Sequence, residues 1–205
     1  MSSQLSALCF DALDPPSLAR FWASVLSWEI AGDRPDGSLI EPTDDTGFPI
    51  RFRPTREQKT GPNQMHFHLT SMSLEDQRQT VARAIGLGAR PLDVGQRPEE
   101  GHVVLADPEG NEFCVIEPGN KFLAGCGFLA ELACDGSAEV GYFWSAALGW
   151  RWSGIRTRRR RFARRTAVRR SAGVARPRPR RPGRTGCTST LCRRLAVIRP
   201  RRLAA

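Results

Sequence analysis

Apolar residues fall along this chain in short strand-like runs, interrupted twice by longer stretches in which they recur every three or four positions. That alternation of periods predicts the succession β-α-β-β-β, made twice within the first 120 residues. The first run covers residues 5–10. Asp14, Pro15 and Pro16 then set a helix start, because a carboxylate caps free N–H groups and proline is tolerated in a first turn; Leu18, Phe21, Trp22, Val25 and Leu26 follow at helical spacing. Residues 28–30, 38–40 and 48–52 read as strands separated by the turn signals Gly32, Pro35-Asp36-Gly37 and Asp45-Thr46-Gly47. The pattern restarts with the alternating strand Met65-His66-Phe67-His68-Leu69 and a helix opened by Ser73 and Asp76, which Gly86 and Gly88 stop. Residues 90–94, 102–106 and 112–116 complete the second set, the last two joined by the turn Asp107-Pro108-Glu109-Gly110.

A third opening then follows. The stretch from Leu13-Asp14 through Phe21-Trp22 to Leu26-Ser27-Trp28 reappears as Asp135 through Phe143-Trp144 to Leu148-Gly149-Trp150, at a constant offset of 122 residues. A fixed period marks a copied structural unit. This divides the chain into a domain at 1–120, the truncated start of a second domain at 121–150, and a tail at 151–205. The stripe of the third helix, Val140, Phe143, Trp144, Ala147 and Leu148, has no sheet of its own to cover, so it is expected to pack on the first domain, form a homodimer or promote aggregation.

Charge separates the same pieces. All 21 acidic residues and 11 of the 31 basic ones precede Arg151; the remaining 20 basic residues are all arginine. Taken literally, the tail is a disordered arm that binds nucleic acid only non-specifically, through phosphates. Its composition also fits a GC-rich gene read out of frame: shifted by one nucleotide, residues 181–190 permit Lys-Thr-Gly-x-x-x-Leu-His-Phe-Asp, matching Lys59 to His68 at the same offset of 122. The expectation is a frameshifted remnant of the second domain. The six cysteines show no C-x-x-C spacing and read as reduced thiols of a cytoplasmic protein, and no run approaches the ~18 apolar residues that span a bilayer.

Two β-α-β-β-β units, opened by Asp-Pro-x-Ser-Leu-Ala-x-Phe-Trp and closed by Asp-Pro-Glu-Gly-Asn-Glu-Phe, resemble the vicinal oxygen chelate superfamily of glyoxalases, bleomycin-resistance proteins and extradiol dioxygenases, and more closely its glyoxalase-like subfamily. The resemblance covers residues 5–118 and resumes from Phe128 to Trp150. It implies an α+β fold in which paired modules form a cupped mixed sheet, with helices outside and a small-molecule ligand inside. It also implies a divalent metal held by side chains on the first and last strands of each module. Here those positions hold Ala7 or Leu8, Arg51 or Phe52, and Cys114 where glutamate is expected; His66 alone fits.

His66 and His68 share one face of their strand, since side chains alternate with period two. With Cys114 they offer three donors, although residues i and i+2 of a strand do not converge easily on one ion. The candidate ligand-binding residues are therefore His66, His68, Cys114 and Arg51, the last placed to meet an acidic group at the mouth. Trp22 and Trp28 read as core. The expectation is a protein that binds a small organic molecule without a complete metal site and without a cofactor. The alternatives are a metal-dependent lyase, isomerase or dioxygenase with His66 as ligand, and a nucleic-acid binder acting through the tail.

Overall fold

The computed structural model describes residues 5–97, 99–135, 138–157 and 187–192. The first module contains β1 (Leu8–Ala12), α1 (Pro15–Leu26), β2 (Glu29–Arg34), β3 (Gly37–Glu41) and β4 (Ile50–Pro54). The second contains β5 (Met65–Leu69), α2 (Leu74–Gly86), β6 (Arg90–Pro91), β7 (Val103–Ala106) and β8 (Glu112–Val115). Then come β9 (Leu129–Asp135), α3 (Ala138–Leu148), β10 (Arg151–Thr157) and β11 (Cys187–Cys192).

Local chemistry sets the helix ends. Asp14 accepts a hydrogen bond from Ser17 N at 3.1 Å, which holds its carboxyl below the usual range, and Ser27 closes α1 in the left-handed conformation at φ 59°. Ser73 caps α2 by accepting from Asp76 N at 3.1 Å, while the Asp76 carboxylate accepts from Met72 N at 2.7 Å.

The strands form two mixed sheets. The first has the order β1-β4-β3-β2, with β1 and β4 parallel. The second has the order β10-β11-β9-β5-β8-β7-β6, with β5 and β8 parallel. Each module thus repeats the same internal order, and the α+β class holds. The modules do not share a sheet, however: the edge of β5 that a paired module would occupy is taken by β9, antiparallel, rather than by β1.

Helix α1 is common to both sheets. It packs on β2, β3 and β4, while its Trp22 ring lies edge-on to Phe67 of β5 at 5.2 Å and to Phe113 of β8 at 5.0 Å. Trp22 Nε1 also donates to Asp107 Oδ2 at 3.0 Å. Asp107 is wholly buried in the turn between β7 and β8, where its carboxylate accepts from Glu109 N, Asn111 N and Asn111 Nδ2. Burial pushes its pKa up, against the pull of those hydrogen bonds. The turn is stapled to the helix a second time, because the Glu109 carboxylate accepts from Leu13 N at 2.8 Å and Asp14 N at 2.9 Å.

Of the C-terminal arm, residues 151–157 and 187–192 are strands that extend the second sheet, and the rest of the stretch expected to be disordered lies outside the described residues. The helix stripe expected to lack a sheet has one, since α3 lies against β10 and β11, although Val140, Phe143 and Trp144 remain open; β9 is paired on both edges. Cys9, Cys114 and Cys134 are not in disulfides, but Cys126 is disulfide-bonded, which corrects the reading of all six as reduced. Among the described residues no helix is long and apolar enough to cross a membrane.

Candidate functional site

Three neighbouring strands bring the polar side chains of the second sheet together. In register, His68 of β5 stands between Cys114 of β8 and Glu131 of β9, and His66 stands beside Ala133. Alternation sends Phe67 and Leu69 to the opposite face, into the core around α1. The polar face is nearly dry: His68, Cys114 and Glu131 are buried and His66 is half-buried. Apolar Val104, Ile116, Leu123 and Ala130 pack around Cys114.

The two imidazoles meet at Nε2, 2.9 Å apart. On its other side His68 turns Nδ1 to Glu131 Oε2 as an ion pair whose alignment falls short of a hydrogen bond, and Glu131 Oε1 has no hydrogen-bond partner. A carboxylate removed from water needs a compensating positive charge. Among the described residues the neighbour able to supply one is His68 itself; a cation held by the cluster would do the same. One nitrogen from each imidazole and the Cys114 sulfur all lie within 4.8 Å of one another, the compass of a single small ion.

Residues 7–116, from just before β1 to just past β8, match the profile of the family described as Glyoxalase-like domain. The chain belongs to this family. Similar solved structures include a glyoxalase/bleomycin resistance protein/dioxygenase family enzyme from Burkholderia phytofirmans PsJN, at 18% identity and TM-score 0.46, the match covering 55% of this chain and 97% of that one. A glyoxalase-related enzyme from Fulvimarina pelagi is 16% identical with TM-score 0.44, over 55% of this chain and 86% of its own. The fosfomycin resistance protein FosX from Listeria monocytogenes, in a mutant form complexed with Mn(II) and a dihydroxypropylphosphonic acid, is 16% identical with TM-score 0.43, over 59% and 94%. No curated protein matches the chain.

Of the four residues singled out from this glyoxalase-like sequence, the fold gathers His66, His68 and Cys114 and leaves Arg51 apart. Arg51 lies on β4 in the other sheet, where its guanidinium pairs with Asp36. Side chains at positions i and i+2 do meet here, at the imidazole separation just given. Glu131 was not singled out. Its signal was there to read: a lone acid inside the apolar run from Phe128 to Cys134, where burial demands a partner.

Proposed function

We propose that this glyoxalase-like chain binds a small organic molecule through a divalent transition-metal ion held by His66, His68 and Cys114. The observation that carries the reading is the convergence of those three donors beside a buried carboxylate with an oxygen left over. Two imidazoles and a thiol suit zinc and its neighbours better than magnesium or calcium, and three protein ligands leave a position open. Such an ion, when bound, supplies Lewis acidity toward the oxygens of a small molecule.

The protein's own groups have separate tasks. Glu131 sets its carboxylate beside His68 Nδ1, where it attracts that edge of the ring and keeps Nε2 turned toward the cluster. The apolar residues around Cys114 exclude water, which strengthens every electrostatic interaction at the cluster. His66, less buried than its neighbour, is the donor nearest to solvent and the one a ligand reaches first.

A metal-free ligand site is the second reading, and the 2.9 Å approach of the two imidazoles favours it, since one ring can donate to the other with no ion between. Elemental analysis separates the two. The purified full chain, equilibrated with zinc, manganese, iron or nickel and then desalted, retains about one ion per chain on the first reading and loses it in His66→Ala and Cys114→Ser. Retention of none supports the second.

The offset of 122 residues supports reading the C-terminal segment as a second copy of the two-module domain, begun and not completed. Helix α1 ends at Leu26 and α3 at Leu148; β2 begins at Glu29 and β10 at Arg151; β5 begins at Met65 and β11 at Cys187. Each pair is 122 apart. The coding DNA tests the frameshift proposed for this segment: a single-base shift that restores the repeat beyond Trp150 upholds it, and absence of any such shift refutes it.

A further inference from the structure

A cavity of about 220 Å³ lies on the face of β5 and β9 opposite the histidines. Its wall is aromatic and aliphatic. Phe128 and Leu132 form one side, and Phe48 with Trp150 the other, their rings stacked at 5.4 Å and 28°. Among the described residues the charged members of its lining are all acidic: Asp44 and Asp45, from the segment between β3 and β4, and Glu131, whose carboxylate is turned away to His68. Asp44 is held in place, Oδ2 accepting from Trp28 Nε1 at 3.2 Å and Oδ1 from Thr46 N at 2.8 Å. No ion pair among the described residues involves Asp44.

We propose that this cavity binds a small organic cation, an ammonium or quaternary ammonium group carrying an apolar substituent. The substituent packs on Phe48 and Trp150, and the charge lies between the aromatic faces and the Asp44 and Asp45 carboxylates. Aromatic faces and carboxylates both attract cations. With no basic residue among the described residues of the lining, an anion of the same shape gains nothing from them. The volume falls below the 300–1,000 Å³ or so typical of drug-sized sites, which limits the ligand to a single ring or a short branched chain. This site does not depend on the metal reading, because none of His66, His68 and Cys114 lines it.

The test is titration of the full chain with benzyltrimethylammonium, benzyl alcohol and benzoate, followed by calorimetry and tryptophan fluorescence. The cation is expected to bind one per chain, with the alcohol weaker and benzoate silent. Asp44→Asn and Asp45→Asn each weaken the cation by about two- to five-fold, the range of one exposed cation contact. His66→Ala leaves it unchanged. Trp150→Leu also weakens it; if that variant fails to fold, exposed Asp45→Asn carries the test. Equal binding of the alcohol or benzoate overturns the proposal, as do unaltered affinity in both aspartate variants and loss of binding in His66→Ala.

Discussion

Replacing Trp22 by Phe tests the joint between the two sheets. Trp22 is 1% exposed and touches Phe21, Phe67 and Phe113, while its indole N–H reaches the Asp107 carboxylate at 3.0 Å. Phenylalanine keeps most of the edge-on ring contact and removes the donor. A hydrogen bond to a charged buried acceptor contributes about 1.5–3 kcal/mol. The cavity left by the smaller ring adds roughly 1 kcal/mol. The expected loss is therefore about 3 kcal/mol, a large part of the 5–15 kcal/mol or so that holds a typical domain together. Urea unfolding of the full chain measures it, with the slope unchanged if the folded state stays compact. A double-mutant cycle with Asp107→Asn isolates the pair, and a coupling of about 1.5 kcal/mol or more is expected between residues in direct contact. A loss under about 1 kcal/mol, or strict additivity with Asp107→Asn, would refute the claim that this bond ties α1 to the β7–β8 turn.

Gly37 has φ of +127°, and a Cβ there would stand 2.0 Å from Phe52 O, so Gly37→Ala breaks the β3–β4 pairing and costs on the order of 3 kcal/mol by thermal unfolding. Burial, with Glu131 and Asp135 nearby, lifts the Cys134 thiol to about 11; at pH 8 iodoacetamide therefore labels exposed Cys9 well before Cys134, as peptide mass mapping will show. Since that pKa lies above the ordinary thiol value of about 9, the protonated thiol favours the fold, and stability falls as pH climbs from about 9 toward 11. Burial works to raise the Glu112 carboxyl, but hydrogen bonds from Lys59 Nζ and Asn63 N outweigh it and leave its pKa lowered. The stability Glu112 adds is thus present above its ordinary pKa and lost as pH falls through the folded value; Lys59→Met moves the acid-unfolding midpoint upward, at a cost near neutrality of at most about 1 kcal/mol.

Periodicity located the elements that depend on local chemistry. β5 is found at the five residues whose alternation marks it, and both helices start at their capping residues. Strand limits moved where backbone pairing ruled. Residues 90–94 shrink to Arg90–Pro91, and the strand expected at 48–52 runs from Ile50 to Pro54, beyond Pro49, which has no N–H to donate. The first strand shifts from 5–10 to Leu8–Ala12 to match the parallel ladder of β4. The partner of β5 was not legible, because a choice between β1 and β9 is made by long-range burial and leaves no periodic mark. The site divides in the same way. One face for His66 and His68 follows from spacing alone, whereas their meeting at Nε2 depends on side-chain torsions and on Glu131, delivered by a strand more than sixty residues away.

The central claim is that His66, His68 and Cys114 act together as one donor set. Cobalt(II) added to the full chain tests it most directly, since a bound thiolate gives an ultraviolet charge-transfer band and tetrahedral nitrogen and sulfur ligation gives intense visible absorption. Both signals are expected to saturate at one cobalt per chain, with the ultraviolet band lost in Cys114→Ser and the visible bands lost in His66→Ala. Spectra that remain those of aqueous cobalt would contradict it.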